Sequence, residues 1–173
     1  MSVSHDSETL AEGKQVITAC ALMWHDFDGV KKVFLPKRAA TKKFLPNVFE
    51  MVGGHIDFGE DIIEGLKREI KEELGVQASI GDAFASFTYL NEVNKSHSVE
   101  VVFFGTFLDP IESITLNPED HSTFDWFSID EVKKRGDEIK PESGVGHSYE
   151  DDPEYLAILK GLELLNGNMH NFG

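Results

Sequence analysis

Cysteine is almost absent. Cys20 is the one thiol in 173 residues, which excludes an internal disulfide framework and fits a reducing, cytoplasmic setting. Positive charge is scarce as well: 16 Lys and Arg stand against 31 Asp and Glu, a formal net charge of -15. A chain so acidic is not expected to bind nucleic acid through its general surface. No apolar run approaches the length needed to span a bilayer, so no membrane partner is expected. The opening MSVSHDSETLAEGK has neither a positive n-region nor an apolar h-region and does not read as a signal peptide. Internal repeats and low-complexity segments are missing. What remains is a balanced composition, 40% hydrophobic and 27% charged, with enough apolar residues for one real core. We read residues 1–13 as a loose polar tail and 14–173 as a single domain; the sequence leaves monomer or homodimer open.

The pattern along the chain mixes strands and helices. QVITACALMW at 15–24 is short, β-branched and nearly all apolar, the mark of a buried strand. His25 to Gly29 is turn chemistry, and 31–37 reads as the returning strand. A basic loop at 39–47 leads to a predicted short strand at 48–52, which enters Gly53-Gly54. Helix is predicted over 61–74, with Ile62, Ile63, Leu66, Ile70 and Leu74 as its apolar stripe and Gly75 as its stop. Strands are predicted at 83–91, 98–107 and 124–127. Ser128-Ile-Asp-Glu131 is a capping box opening a short helix. After a polar loop at 140–151, Asp152-Pro153 starts a terminal helix. These elements predict an α/β fold with a mixed sheet and helices on both faces.

Residues 53–76, GGHIDFGEDIIEGLKREIKEELGV, carry the chemistry. Glu69, Glu72 and Glu73 stand at i, i+3 and i+4, so they collect on one side of the helix. They also lie near its C-terminus, where the backbone dipole disfavours negative charge. A structural helix would avoid this arrangement; a hard divalent cation with oxygen ligands turns its cost into binding energy. Gly53 and Gly54 allow the backbone to approach such an ion or a phosphate closely. Arg68 has the planar donor fork that suits holding a carboxylate in place. A polyanionic substrate would also need local positive charge. Lys31, Lys32, Lys37, Arg38, Lys42 and Lys43 form a run with no acid between Asp28 and Glu50. A solvated edge strand and a phosphate-steering patch are both open readings of it.

Gly54, five residues, Glu60, seven residues and Arg68-Glu69-Ile70-Lys71-Glu72-Glu73-Leu74-Gly75-Val76 match the Nudix box, G-x5-E-x7-R-E-U-x-E-E-x-G-U, at every fixed position. Average residue usage puts a chance match at ~10^-7 in a chain of this length, so coincidence is rejected even after a generous concession to Glu-rich helices. The chain thus resembles the Nudix hydrolases. The resemblance implies an α/β/α sandwich and Mg2+- or Mn2+-assisted attack of water on a diphosphate linkage in a small nucleotide substrate. It makes Glu72 and Glu73 metal ligands together with the Gly53 carbonyl. Glu69 becomes a further ligand or the base, and Glu60 and Arg68 orient the ligands. Many relatives place the base on a later loop. Asp120, directly before His121, holds that place here, with neighbouring Glu119 second; both are also candidate metal ligands. Arg38, Glu50 and Gly54, around the glycine loop, are expected on the substrate side. Val52 stands where many relatives have proline. His55, His97 and His121 are read as surface or packing residues, and Phe124 and Trp126 as core or as the border of a base pocket.

Subfamily signals outside the box are mostly absent. No proline occurs between Val76 and Pro110, which departs from the common ADP-ribose type. Exclusion leaves a nucleoside triphosphate, including oxidised ones, cleaved to monophosphate and pyrophosphate. ADP-ribose, nucleotide sugars and dinucleoside polyphosphates are the alternatives, as is a non-catalytic nucleotide-binding module. An isomerase-type relative would call for a catalytic cysteine, and Cys20 sits inside an apolar strand.

Overall fold

Strand β1 (Lys14–Phe27) organises the molecule, a computed structural model that describes residues 14–140 and 148–167. The predicted tail at 1–13 and most of the predicted polar loop at 140–151 lie outside the described residues. Asp28 and Gly29 both have positive φ, as a two-residue hairpin turn requires, and return the chain into β2 (Val30–Arg38). Three further elements follow: β3 (Val52–His55), α1 (Ile62–Leu74) and the long hairpin of β4 (Ala78–Asn91) and β5 (Ser96–Phe107). Then come β6 (His121–Phe127), α2 (Ile129–Lys134), a single turn α3 (Gly136–Ile139) and α4 (Pro153–Leu165). The six strands run in the order β4-β5-β1-β2-β6, with β3 added on β1. β1 and β5 are parallel and every other pair is antiparallel, so the sheet is mixed as expected.

Alternation along β1 divides the core. Ala19, Ala21 and Met23 face one side, where they meet Leu66, Ile70 and Leu74 of α1. Cys20 and Leu22 face the other, against Ile158 and Leu162 of α4 and Val132 of α2. Helices on both faces make the α/β/α sandwich. The predicted stripe of α1 is fully buried at Leu66, Ile70 and Leu74. Asp61 caps its N-terminus by accepting from the Ile63 and Glu64 amides, and Gly75 ends it in the left-handed conformation at φ 70°. The Ser128 capping box and the Asp152-Pro153 start also form as read.

Three boundaries differ from expectation. Residues 48–51 are not a strand: they are stitched to β2 by Arg38 N to Val48 O (2.8 Å) and Glu50 N to Pro36 O (3.0 Å), while Val48, Phe49 and Met51 fill the core. The strand instead contains the glycine pair. Cys20 and Ala19 of β1 pair with Gly53 and Gly54, and a Cβ on Gly53 would overlap the Ala19 carbonyl. β4 begins at Ala78 because register shifts between Ile80 and Ala85 absorb Gly81-Asp82, which reads as a turn in sequence. β6 starts at His121 rather than 124, across from Arg38.

Candidate active site

β2 and β3 share one edge of β1: β3 takes Thr18 to Ala21 and β2 takes Trp24 to Phe27. A cleft of about 470 Å³ opens beside this junction. Its walls come from β1, β3, α1, the 39–51 segment, the β4–β5 hairpin, the start of β6 and the N-terminus of α4. Glu69 and Glu73 enter it from α1, and Gly53, Gly54 and His55 from β3. Arg38 comes from the end of β2, and Lys42, Glu50 and Asp120 from the loops around them.

Arg68 is the hub of the box. Its Nε and Nη2 donate to both oxygens of Glu60, at 2.8 and 3.0 Å, and Nη1 donates to Glu69 Oε1 at 2.7 Å. Nη2 also donates to the His55 carbonyl at 3.2 Å, tying α1 to the glycine strand. These bonds from Arg68, with one from the Asp57 amide, hold the Glu60 carboxyl down at about 2. Gly54 is required beside Glu69: a Cβ there would run into the Glu69 carboxylate. Glu72 turns outward, with a 60% exposed side chain and a long 3.4 Å contact to Arg68. The three glutamates of the helix therefore divide, two into the cleft and one towards its outside.

Glu73 has the most unusual electrostatics. Its Oε2 is buried without a hydrogen-bond partner. Burial first, and then the charges of Glu50, Glu69 and Asp120, push its carboxyl well above the ordinary range; the Gly53 amide only partly offsets this. Among the described residues no three His, Cys, Asp or Glu side chains converge as a finished metal cage. The donor set nonetheless fits a hard divalent cation: an orphaned buried carboxylate oxygen, further carboxylates around it, and a glycine pair that keeps the backbone close.

The predicted site residues separate by location. Asp120 lines the cleft, paired to Lys42 at 2.5 Å and accepting from Asn117 Nδ2 at 2.9 Å. Glu119 is exposed and does not line it. Arg38 donates through Nη1 to both Glu50 oxygens, at 3.2 and 3.1 Å, and His121 Nε2 contacts Glu50 Oε1 at 2.9 Å. Burial resists ionisation of Glu50, but His121 and Arg38 prevail and its carboxyl sits below the ordinary value. The basic run splits. Arg38 and Lys42 face the cleft, whereas Lys31 donates to the Leu165 carbonyl and Lys32 pairs with Glu131, both away from it.

Several cleft residues carry no sequence signal of their own. Lys140 is buried and pairs with Glu154 at 2.5 Å; Glu154 also accepts from the Met51 amide at 2.8 Å, anchoring α4 to the approach to the glycine pair. Thr18, Phe44, Phe87, Tyr89 and Glu100 line a second region of the cleft. Trp126 packs instead with Phe27, Phe34 and Phe107, and neither it nor Phe124 borders the cleft. Of the two readings for His121, surface or packing, the structure gives a buried one: it is 2% exposed and bonded to Glu50. Cys20 is buried, as its strand implies, with its thiol beside Glu100.

Glycine strand, carboxylate helix and cleft on a mixed sandwich together define a Nudix-type domain. The NUDIX domain model matches residues 15–144, and the chain belongs to that family. A curated relative, the uncharacterized Nudix hydrolase YfcD of Escherichia coli K12, is 29% identical over 117 residues, covering 67% of this chain and 62% of its own length. This chain thus spans less than two thirds of that relative. The MutT protein of Methanosarcina mazei Go1 shares the fold at TM-score 0.66 and 20% identity, over 91% of this chain and 99% of that one. The NUDIX domain of Shewanella oneidensis NrtR, solved with ADP ribose, superposes at TM-score 0.63 and 16% identity over 93% and 94%. Among the described residues no helix is long and apolar enough to cross a membrane.

Proposed function

We propose that this chain hydrolyses a diphosphate linkage in a nucleoside diphosphate joined to another moiety, with a divalent cation as cofactor. The orphaned, buried Glu73 oxygen beside Glu50, Glu69 and Asp120 carries this reading. Gathering these carboxylates around a buried one is costly; a cation there would relieve it. Glu69 and Glu73 with the Gly53 carbonyl would hold Mg2+ or Mn2+, and Glu72, which points outward here, would turn inward to join them. When bound, the ion supplies charge neutralisation at the phosphate oxygens and acidifies bound water.

The remaining work falls to the chain. Arg68 and Glu60 fix the Glu69 carboxylate. Lys42 and Arg38 offer positive charge to a polyanion within the cleft. Asp120 takes a proton from the attacking water; Glu119, outside the cleft, is second to it. The water oxygen bonds to phosphorus as the bridging P–O bond breaks, and the bridging oxygen leaves with its electron pair. For a nucleoside triphosphate, the preferred substrate by exclusion of the other subfamily signals, the products are monophosphate and pyrophosphate.

A panel assay with Mg2+ or Mn2+ tests the reading on canonical and oxidised nucleoside triphosphates, ADP-ribose, nucleotide sugars and dinucleoside polyphosphates. Pyrophosphate plus one monophosphate supports it in full. Cleavage of ADP-ribose or a sugar nucleotide keeps the chemistry and replaces the substrate. A Glu72→Gln/Glu73→Gln double variant that turned over at full rate would sink the mechanism.

A further inference from the structure

Glu100 occupies an unusual place. It stands on β5 directly between Thr18 of β1 and Phe87 of β4 in the strand register. It is 9% exposed and lines the cleft. β3, with the glycine pair, lies on the other side of β1. Two strand spacings, roughly 10 Å, thus separate Glu100 from the phosphate end. Around Glu100 the wall is aromatic: Phe87 and Tyr89 on β4, with Phe44 stacked on Tyr89 at 6.1 Å.

Several carboxylates of the cleft have basic partners, and Glu73 faces the glycine strand at the phosphate end. Glu50 meets Arg38, Glu69 meets Arg68, and Glu154 meets Lys140. Glu100 meets neutral groups, the Thr18 hydroxyl at 2.5 Å and the Cys20 thiol. The Thr18 hydroxyl also faces the Val99 carbonyl at 3.1 Å, and it has one hydrogen for two acceptors. The conflict disappears when Glu100 carries a proton: Glu100 donates to Thr18, and Thr18 donates to Val99. Burial of an acid without a cation is costly and has no structural return on a sheet face that Phe87 and Val102 otherwise share.

We propose that Glu100 is the specificity-determining residue of the cleft, where its carboxyl reads the hydrogen-bonding edge of the heterocyclic base attached to the diphosphate. The inference rests on the substrate class proposed above. Phe44, Phe87 and Tyr89 give the base faces to pack on. With a base in the cleft the neutral carboxyl turns its O–H from Thr18 to the ring while Thr18 keeps its bond to Val99; it then presents one acceptor and one donor, which complement the ring nitrogen and amino group of an adenine-type edge. The carboxylate presents acceptors only, which complement the adjacent N–H donors of guanine.

The surroundings allow both forms. Burial, above all, brings the Glu100 carboxyl up to about 7; Thr18 and Cys20 of β1 oppose this, and the charges of Glu154 on α4 and Glu50 before β3 add to it. Tyr89 on β4 is a further titratable neighbour, and Lys140, in the same cleft, is paired to Glu154. Base preference should therefore change across neutral pH.

The test is equilibrium binding of the α,β-methylene analogues of ATP and GTP, with Mg2+, at pH 6 and 8.5. Changes at the phosphate end affect both analogues alike and cancel in the ratio of their Kd values. Wild type should lose about tenfold of its adenine preference between these pH values, the worth of one mismatched hydrogen bond. Glu100→Gln, isosteric and permanently neutral, should hold one ratio at both pH values. Glu100→Leu should bring the ratio close to one. A wild-type ratio that ignores pH, or a Glu100→Gln ratio that follows the wild type, overturns the proposal. So does failure to bind either analogue. Base-selective binding without any turnover leaves this proposal standing and overturns the hydrolase reading instead. Turnover with a Glu100-independent ratio does the reverse.

Discussion

At the scale of single residues, the site depends on side chains that are missing as much as on those present. Gly54 leaves the volume that the Glu69 carboxylate fills. Gly54→Ala should displace that carboxylate by about an ångström and lower kcat/KM by ~10^2-fold, while the melting temperature barely moves because the obstructed group is a flexible side-chain end. Steady-state kinetics and a thermal melt separate the two effects. Glu100 makes a different prediction. Its folded-state carboxyl titrates at about 7, above the ordinary carboxylate value of 4.5. Stability from this group is therefore fully present below the unfolded value and is lost as pH rises through 7, by about 3 kcal/mol. Glu100→Gln should be more stable than wild type at pH 8.5 and close to it at pH 4.5. Equal differences at both pH values in urea unfolding would contradict this. The box residues were legible because all lie within one loop and one helix, at spacings that local geometry sets. Thr18, Tyr89 and Glu100 were not, since they meet only through strand register across some 80 residues.

At the scale of elements, α1 and α4 hold the cleft from opposite faces of the sheet. Arg68 joins α1 to the glycine strand with a bidentate grip on Glu60 and further bonds to Glu69 and the His55 carbonyl. Lysine has no fork to divide in this way. Arg68→Lys should weaken activity and Mg2+ affinity by ~10- to 100-fold with the helix intact, as loss of a ligand-orienting group does; Mg2+ titration of the rate measures it. At α4, Glu154 and Asp152 keep the buried Lys140 charged against the cost of burial. Lys140→Met strands a buried Glu154 and should cost about 3 kcal/mol, much of it recovered in Lys140→Met/Glu154→Gln. Chemical denaturation of the three variants is the check. The helix α1 was readable through its stripe and its Gly75 stop, whereas Asp61, read as the first helical residue, is its N-cap. β3 was displaced in the sequence reading because glycine pairs signal turns. Only the close approach of Ala19 and Cys20 explains glycines inside a strand.

At the scale of the molecule, the charge of -15 opposes approach of any polyanion, and Arg38, Lys42 and the buried Lys140 counter it within the cleft. With saturating Mg2+, kcat/KM for a nucleotide should rise when KCl is raised from about 10 to about 150 mM, because screening relieves long-range repulsion. A fall would mean that local attraction dominates. The mixed α/β/α architecture was foreseeable from the order of elements, whereas the sharing of one β1 edge by β2 and β3, which opens the cleft, was not. That central strand also dictates how the chain must assemble. Lys14 to Met23 find their parallel partners at Ser96 to Gly105, so β1 leaves the ribosome long before β5 exists to cover it. The intervening wait exposes ACALM, an apolar β-prone segment with an unpaired edge. Ordering so distant a contact slows folding relative to a helical bundle of this length. Yield on expression should consequently depend more on the rate of synthesis than on the stability of the finished fold.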